Sequence, residues 1–412
     1  MQAIGLISEY NPFHNGHKYH LEEAKRISKN QNTICIMSGN FTQRGDVTIT
    51  DKWARATMAV NAGVDLVIEL PTVFAVRSAQ HFAAGSIRLL NALGVVKEVC
   101  FGAENAEYHL LNKIANASTD IAVIKLFHKN LLDGKSYAAA MSSAISSIHG
   151  ISTKLLSSPN NILAIEYIKA INKYDLNIAP IPINRIIANY HDTEISHTIA
   201  SATAIRTHLQ SPDCDISALK NAMPAYSYDL LKASFFTNKN FPCLNNLSSI
   251  LLYKLRTMTA TDLEKIIGIS EGLENKLLNH ASQAVNLEKL LMLTKTKRYP
   301  LSRLQRILIH LMLGTTKETI NYFDKTGPLY ARILAFNDRG RQTIKELKRT
   351  STIPLISKTT NYLNTSKRNT KQLNDLERML AIDTYATDIY TLSYSPNHLG
   401  GLDFIQSPIY IK

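Results

Sequence analysis

The sequence predicts an α/β protein with a parallel sheet in its first half and mainly helices in its second half. Over the first 110 residues, short apolar runs alternate with amphipathic segments, which is typical of βαβ units. Beyond about residue 215 this alternation stops, and short helical patterns follow one another. The 412 residues, 45% of them hydrophobic, exceed one ordinary domain and supply enough apolar surface for more than one core.

The first half divides into strands and helices where the spacing of apolar residues changes. Runs rich in β-branched residues predict strands, and segments with apolar residues at helical spacing predict helices. The predicted strands cover residues 3–8, 33–37, 64–70, 95–101 and 177–183. The predicted helices cover residues 18–29, 52–61 and 78–93, most of 105–172, and a helix start at 203–209. Gly63 and Gly94 fit the position that follows a helix.

The second half predicts shorter elements. Its expected helices cover residues 219–233, 250–258, 262–267, 273–284, 287–293 and 303–313, and β-branched runs at 353–356 and 408–411 are candidate strands. Because Ser211-Pro212-Asp213 interrupts the pattern, we expect one domain over residues 1–212 and a second, mainly helical one over 213–412.

The composition favours a basic intracellular protein with a polyanionic partner. The formal charge of +13 indicates nucleic acid ahead of an anionic membrane surface, with simple solubility as the alternative. The four cysteines form no C-x-x-C pair, so we expect no disulfide and neither a zinc site nor a redox dithiol. The first residues lack the basic flank of a signal peptide, and no long uncharged apolar stretch predicts a membrane span. A cytoplasmic location is therefore expected.

The strongest functional signal is the turn after the first predicted strand. His14, Gly16 and His17 form the pattern H-x-G-H between a strand and a helix. A glycine lets the backbone approach a phosphate, and the first turn of a helix offers free N–H groups to an anion. The two histidines can donate hydrogen bonds to phosphate oxygens that gain charge as pyrophosphate leaves, and Lys18 adds positive charge. The alternatives for this pair are a chance helix cap and a metal site.

A second signal lies before the predicted domain boundary. Ser201 and Thr203 fit the N-cap and first turn of a helix, where their hydroxyl groups can bind an anion. Arg206 follows about one turn later and can form a forked contact with phosphate. An ordinary capped helix with a surface arginine is the alternative.

A basic segment in the second half predicts contact with a nucleic acid backbone. It contains no acidic residue, and Tyr299 within it offers a ring for stacking on a base. The alternative is a solvated helix face. The residues predicted to bind are Lys295, Lys297, Arg298, Arg303 and Arg306. A second basic zone over residues 332–349 continues through Lys358, Lys367, Arg368 and Lys371.

The H-x-G-H turn and the motif that contains Ser201, Thr203 and Arg206 together resemble a known family. H-x-G-H after the first strand, paired with residues 199–206 at the end of the domain, resembles the nucleotidyltransferase superfamily, and more closely the tRNA(Met) cytidine acetate ligase family. The second motif departs slightly, with Ala200 before Ser201 and Ala202 after it. The similar stretches are 5–17, 38–45, 51–55, 65–71, 101–104, 158–164, Tyr190-His191-Asp192, 295–299 and 303–308. They are dense over the first 210 residues, reach about residue 314, and add little in the last 60.

The resemblance implies a fold, a reaction and a set of contacts. The fold would be a Rossmann-like parallel-sheet nucleotidyltransferase domain followed by a mainly α-helical C-terminal domain. The reaction would form acetyl-adenylate from acetate and ATP, and then acetylate N4 of the wobble cytidine of elongator tRNA(Met) to give N4-acetylcytidine. The family's ATP contacts carry over to Ile7, Ser8, Glu9, Tyr10, Asn11, Pro12, Phe13, His14, Asn15, Gly16, His17, Lys18, Tyr19, His20, Gly102, Asn160 and Arg185. Asn161 is the alternative to Asn160.

The loop after the second strand is a candidate acetate site in this reaction. Ser38, Gly39 and Asn40 open it, and Arg44 could hold acetate or a phosphate, with a plain surface loop as the alternative. The catalytic residues expected from the whole analysis are His14, His17, Lys18 and Arg206. Mg²⁺ is expected because ATP carries it, but no carboxylate cluster in the sequence indicates a metal held by the protein.

Three further side chains have structural interpretations. Trp53, the only tryptophan, is expected to pack at a helix start rather than stack on a base. Glu69, at a strand end, could hold a buried arginine or lysine, and His81 is expected to be structural.

Two other functions use some of the same features. An adenylyltransferase acting on a small nucleotide-cofactor precursor would use both phosphate motifs, but such enzymes are usually nearer the length of the first domain alone. A non-catalytic RNA-binding protein with a relic nucleotide site would use only the basic second half. The residue patterns themselves do not separate acetate from other small carboxylates.

Overall fold

The structure is a computed structural model that describes residues 1–29, 32–185, 200–211, 213–238, 241–370, 372–394, 396 and 398–412. Tyr190-His191-Asp192, Pro212 and Lys371 therefore lie outside the described residues. The strands are β1 Ala3–Ser8, β2 Asn32–Ser38, β3 Leu66–Leu70, β4 Val96–Ala103, β5 Ala179–Asn184, β6 Ala331–Phe336, β7 Leu355–Ile356 and β8 Ile409–Tyr410.

The helices before residue 212 connect the strands of the sheet. They are α1 Asn15–Ile27, α2 Lys52–Asn61, α3 Thr72–Ala75, α4 Ala79–Ala92, α5 Tyr108–Ala117, α6 Ile121–Leu132, α7 Tyr137–His149, α8 Thr153–Ser157, α9 Pro159–Lys173 and α10 Ala202–Leu209.

Short helices dominate the remainder of the chain. They are α11 Ala225–Asn238, α12 Ser248–Thr257, α13 Ala260–Glu264, α14 Leu273–Gln283, α15 Leu287–Thr294, α16 Leu301–Leu313, α17 Lys317–Thr326, α18 Asp338–Thr350, α19 Thr365–Arg368, α20 Asp375–Thr391 and α21 Leu402–Ile405. Single 3₁₀ turns cover Ile216–Leu219, Leu244–Leu247 and Thr359–Asn361.

One sheet crosses both halves of the chain. Its strand order is β5-β4-β1-β2-β3-β6-β7, and β8 also pairs with β6. The first five strands are parallel, as predicted, and β6 pairs with β3 antiparallel through Leu66 opposite Phe336. The carboxyl ends of β1, β2 and β4 therefore meet at one edge of the sheet, where α/β proteins bind their ligands.

Three apolar clusters hold this architecture together. Alternate residues of the central strands face opposite sides of the sheet, so that Ile34 and Ile36 belong to one cluster, and Cys35 and Met37 to another. The third cluster joins α12, α14, α15, α16 and α20. Phe41 also belongs to this third cluster, so the loop after β2 is packed against the helical half.

The predicted α/β class is confirmed, and the first-half elements agree closely with their predicted bounds. The candidate strands near residues 353–356 and 408–411 are present as β7 and β8. The structure adds α17, β6, α18 and α20, which the sequence did not predict. The expected division at residues 212 and 213 stays a prediction, although strands from both sides of it share the sheet.

Candidate active site

The H-x-G-H turn lies at the carboxyl end of β1, where it begins helix α1. His14 is the N-cap, and its Nδ1 accepts a hydrogen bond from the N–H of Gly16 at 3.0 Å. The N–H of His14 donates to Nδ1 of His17 at 3.3 Å, which closes a reciprocal capping box. The ring centroids of the two histidines are 3.9 Å apart. The turn is thus a helix cap built from the two side chains predicted to bind phosphate.

Both histidines are neutral in this environment. Burial, reinforced by Arg185 and Arg206, lowers the pKa of His14 to about 3. Burial also lowers the pKa of His17 well below its usual value, with contributions from His14, Arg185 and His20. Since Nδ1 of each ring accepts a backbone hydrogen bond, we assign the remaining proton to Nε2. The Pro12 carbonyl accepts from the His17 ring, so His14 is the better placed to donate to a ligand.

Helix α10 brings its arginine to this turn. Nη1 of Arg206 donates to the backbone oxygen of Asn11 at 2.8 Å, and Nη2 approaches Oγ1 of Thr203 at 3.3 Å. Ser201 caps the helix by accepting from the N–H of Ala204 at 3.1 Å. Residues far apart in sequence are therefore neighbours, as the two-motif interpretation requires.

A third part of the candidate site, after the H-x-G-H turn and α10, is formed by residues of β4, α9 and the end of β5. Nη1 of Arg185 donates to Oδ1 of Asn160 at 2.8 Å, and the carboxylate of Glu104 accepts from both the backbone and the side chain of Asn160. A Cβ atom on Gly102 would lie 3.0 Å from Cγ of Arg185, so this arginine covers the glycine. Sequence reasoning missed Glu104 as the residue that orients this group.

The choice between the two asparagines has a geometric answer. The side chain of Asn161 is 2% exposed, and it binds the N–H of Asn105 and the carbonyl of Leu155. Its amide is therefore committed to the loop after β4 and to α8. The oxygen of Asn160 faces Arg185 instead, which favours Asn160 at the site.

The other residues of the first turn have different surroundings. The rings of Tyr10 and Phe13 are fully buried and Ile7 lies in the core, so these residues can offer a ligand mainly their backbone. The side-chain amide of Asn15 donates to the Asn221 carbonyl at 2.8 Å. Lys18 is exposed, and its Nζ lies 3.8 Å from the carboxylate of Glu22 on α1.

The first residues of the loop after β2 mainly make contacts that hold the loop in place. The Asn40 amide binds the N–H of Lys52 and the hydroxyl of Thr387, and a Cβ atom on Gly39 would lie 2.5 Å from the Glu69 carboxylate. The Ser38 hydroxyl is buried and has no hydrogen-bond partner among the described residues. Arg44 is exposed and close enough to Arg206 to affect its pKa. Of the four residues proposed for acetate, Arg44 is thus the best placed to meet an anion.

Arg55 connects the loop after β1 with the loop after β2, and sequence reasoning missed it. Its buried guanidinium donates to the carbonyls of Glu9 at 2.6 Å and Ser38 at 3.1 Å, and also to that of Gly39. Its Nε donates to the carbonyl of Thr50 at 3.2 Å. The ends of β1 and β2 are therefore joined through one side chain. A buried arginine bonded to backbone carbonyls leaves no charge pattern in the sequence that could have identified it.

Two structural interpretations of side chains near the sheet are confirmed. Trp53 is 6% exposed and packs in the core. Glu69 binds Nζ of Lys52 at 2.8 Å, and Nη1 of Arg332 lies 3.3 Å away. The predicted structural role of His81 fits its 3.0 Å contact with the Ser78 hydroxyl.

The predicted RNA-binding segment divides into two groups. The first group is exposed between α15 and α16 and contains Lys295, Lys297 and Arg298. The second group, Arg303 and Arg306, lies in α16 and is half-buried. Arg303 donates to the Gly268 carbonyl at 3.0 Å, and Arg306 to the Gln43 carbonyl at 3.3 Å.

The expectation that Tyr299 stacks on a base is wrong. Its ring is 7% exposed, and its hydroxyl donates to the Ser270 carbonyl at 3.3 Å. The ring packs in the apolar cluster of the helical half, under the guanidinium of Arg303. The polar sequence around this residue concealed its role as a core anchor.

Within the described ranges, the structure contains no group of histidine, cysteine and carboxylate side chains that could hold a metal ion. The four cysteines are unpaired. No helix of the described chain is both long enough and apolar enough to cross a bilayer.

Comparisons with known proteins place this geometry in context. The sequence profile of the family described as HIGH Nucleotidyl Transferase matches residues 1–400. A tRNA(Met) cytidine acetate ligase of Thermoanaerobacter sp. (strain X514) is 40% identical over 409 residues, covering 98% of each chain. Another from Clostridium perfringens (strain SM101 / Type A) is 39% identical over 424 residues, covering 100% of each.

Two solved structures are similar to this chain over its full length. The crystal structure of Thermotoga maritima TmcAL bound with alpha-thio ATP is similar with a TM-score of 0.90, at 31% identity and with 100% of each chain covered. The apo form of the same protein gives a TM-score of 0.91 at 32% identity, again over 100% of each chain.

Proposed function

This chain belongs to the tRNA(Met) cytidine acetate ligases of the HIGH nucleotidyltransferases, and we propose that it activates acetate with ATP and transfers the acetyl group to that tRNA. In the first step an acetate oxygen attacks the α-phosphorus of ATP, the bond to the β-phosphate breaks, and pyrophosphate leaves. In the second step N4 of the wobble cytidine of elongator tRNA(Met) attacks the acetyl carbon, the amine loses a proton, and AMP leaves. The observation that carries this proposal is the convergence of the histidine pair, Arg206 and Arg185 at one end of the sheet.

The charges around the turn support the first step. Pyrophosphate gains negative charge as it leaves, and fixed donors aimed at that charge lower the barrier. We assign the Nε2–H of His14 and the guanidinium of Arg206 to the phosphates, with His17 holding the turn. Lys18 would reach the phosphates only by leaving Glu22. The backbone of residues 7–20, together with Gly102, Asn160, Arg185, Ser201 and Thr203, would complete the ATP site.

We propose a protein partner for acetate but none for Mg²⁺. Arg44, next to the Ser38–Asn40 turn, is the proposed partner of the acetate carboxylate, because it is an exposed cation near Arg206. The donor set does not fit a resident metal among the described residues, so Mg²⁺ would enter as the counter-ion of ATP, and no step depends on it. No general base for the cytidine amine is assigned, since proximity to a reactive acyl-adenylate can carry the transfer.

The tRNA would approach the exposed basic residues between α15 and α16. Lys295 and Lys297 meet no carboxylate among the described residues, and Arg298 forms an ion pair with Glu271. Such exposed cations suit sequence-independent phosphate contacts. A domain of residues 1–212 for ATP, a helical one of 213–412 for tRNA, and a cytoplasmic location remain parts of this proposal.

The function is tested by two assays on the full chain. Acetate-dependent exchange of pyrophosphate into ATP measures the first step, and nucleoside mass spectrometry of the tRNA measures N4-acetylcytidine. His14→Ala should lower the exchange rate about 100-fold, the usual loss when one such donor is removed. His109→Ala, an exposed histidine on α5, is the matched control and should leave it unchanged.

Three outcomes would contradict the proposal. ATP turnover with a small nucleotide-cofactor precursor, unaffected by tRNA, would indicate the adenylyltransferase alternative. Unchanged exchange in His14→Ala would remove the histidine from the chemistry. Exchange supported equally by propionate would reject acetate as the specific substrate.

A further inference from the structure

A groove lies between helices of the first half and helix α16. Its volume is about 580 Å³, and α4, α7, α9 and α16 contribute to its walls. A second cavity of about 630 Å³ shares Gln80, His81, Tyr137, Met141 and Lys169 with it, so the two form one continuous depression. Each part alone falls within the range of about 300–1,000 Å³ of small-molecule sites. Two adjoining cavities of this size suit a polymer rather than one small ligand. We call this depression the cationic groove.

The charges of the groove are unbalanced. The first cavity is lined by the cations Arg77, Lys169, Arg298, Arg303 and Arg306, and Glu166 is the one carboxylate on it among the described residues. The second cavity adds the cations Arg88 and Lys173 and the carboxylate of Asp324. Arg77 is held by Asp324 at 2.8 Å, and Lys169 by Glu166 at 2.9 Å.

The two arginines of α16 meet no carboxylate among the described residues. They bind the carbonyls of Gly268 and Gln43 instead. Burial, with the nearby charges of Arg303 and Arg77, lowers the pKa of Arg306 to about 10. It therefore stays charged at neutral pH, and a bound anion would relieve the repulsion.

An aromatic side chain stands between the two cavities. Tyr137, the first residue of α7, is 51% exposed and lines both of them. Its ring packs edge-on against Phe127 with centroids 5.0 Å apart, which fixes its position. A fixed, half-exposed aromatic ring beside cations is how proteins bind unstacked bases of single-stranded nucleic acids.

One residue connects the groove to the ATP site. The N–H of Gln43 donates to the carboxylate of Glu9 at 2.7 Å, next to the H-x-G-H turn. Its side-chain amide donates to the carbonyl of Arg77 at 2.8 Å, and its own carbonyl accepts from Arg306. Gln43 thus joins the loop beside the H-x-G-H turn to Arg77 and Arg306, two residues that line the groove.

We propose that the cationic groove binds the single-stranded nucleotides that flank the acetylated cytidine, with one base stacked on Tyr137 and backbone phosphates on Arg303 and Arg306. This inference rests on the proposed function and adds a site for the flanking nucleotides. An apolar peptide would fit the floor of the groove but would leave Arg303 and Arg306 without an anionic partner, which favours RNA.

The first test removes the ring. Tyr137→Ala should raise KM for the tRNA by roughly 5- to 150-fold, the effect of losing one base stack, while acetate-dependent pyrophosphate exchange stays at the wild-type rate. Tyr137→Phe should restore most of the affinity, because stacking does not need the hydroxyl. Tyr253→Ala, an exposed tyrosine on α12 outside the groove, is the control and should change neither measurement.

The second test fills the groove. Ala138 is exposed and lines it, whereas Ala139 is exposed on the same helix and does not. Ala138→Trp should raise KM for the tRNA, and Ala139→Trp should not. Wild-type KM in both Tyr137→Ala and Ala138→Trp would overturn the groove proposal. A wild-type chain that exchanges pyrophosphate but never acetylates tRNA would instead overturn the proposed function.

Discussion

At the scale of single residues, burial is the main reason why the two histidines of the H-x-G-H turn are neutral, and Arg185, an arginine proposed to bind ATP, adds to the effect. A neutral imidazole can still donate one hydrogen bond, but it adds no charge to a turn that already faces Arg185 and Arg206. When the triphosphate binds, its negative charge favours protonation, and the pKa of both rings should rise. Substrate binding would thus supply the condition under which the histidines can carry charge.

The buried state of His14 predicts an acid-dependent loss of stability. Its pKa is about 3 in the folded chain and about 6.5 when unfolded, so the unfolded state binds more protons as the pH falls below 6.5. The free energy of unfolding should therefore decrease from pH 6.5 towards pH 4. In His14→Asn, which keeps a side chain able to cap the helix, this decrease should be smaller.

Urea unfolding at several pH values measures this effect. His109→Asn, with its exposed side chain, is the control and should keep the wild-type slope. An identical pH dependence for His14→Asn and the wild type would mean that His14 titrates normally in the folded chain.

At the scale of elements, the first half of the fold could be predicted because each of its elements carries a local signal. Asp51 before α2 and Gly63 after it bracket that helix, and its predicted bounds match the observed Lys52–Asn61. The same regularity located the H-x-G-H turn and Ser201 at the starts of helices.

The missed elements depend on partners that are distant in sequence. Strand β6, Ala331–Phe336, is a short apolar run. It forms a strand because it pairs with the edge of β3 that β2 leaves free. Glu104 and Arg55 escaped prediction for a similar reason, since their functions lie in contacts with Asn160 and with loop carbonyls. Local patterns cannot encode such contacts.

Helix α18 provides a test of how closely the late elements pack on the sheet. A Cβ atom on Gly340 would collide with the backbone carbonyl oxygen of Asp65, which leads into β3. Alanine usually stabilises a helix relative to glycine by about 0.5–1 kcal/mol, but here overpacking should reverse the sign. We expect Gly340→Ala to lower the free energy of unfolding by about 1–3 kcal/mol.

The measurement is the midpoint of urea unfolding. Arg339→Ala, at the exposed neighbouring position, should remain within about 0.5 kcal/mol of the wild type. A stabilised Gly340→Ala variant would show that α18 does not lie against β3.

At the scale of the whole molecule, the charge of +13 suits the two anionic partners of the proposed function, ATP and tRNA. Arg206, proposed to bind the triphosphate, is half-buried, whereas Lys295 and Lys297 are exposed and suit an extended backbone. Buried and exposed cations respond differently to salt, because ions screen exposed charges far more strongly. The two partners can therefore be separated by ionic strength.

Lys297→Ala tests that separation. The slope of log K for tRNA against log salt concentration should become less steep by about 1, since one phosphate contact is lost. The KM for ATP should not change. Lys29→Ala, which lies after α1 and far along the chain from this segment, is the control and should keep the wild-type slope. An unchanged slope for Lys297→Ala would place the tRNA on another surface.

The antiparallel pairing of β6 with β3 also affects how the protein is made. On the ribosome, β3 leaves the exit tunnel long before β6 is synthesised, and all five of its residues are buried only when the sheet is complete. Until then the nascent chain carries an apolar strand with free backbone groups, which is a hazard for aggregation. Chaperones are therefore expected to hold the growing polypeptide until its last fifth, which contains β6, emerges.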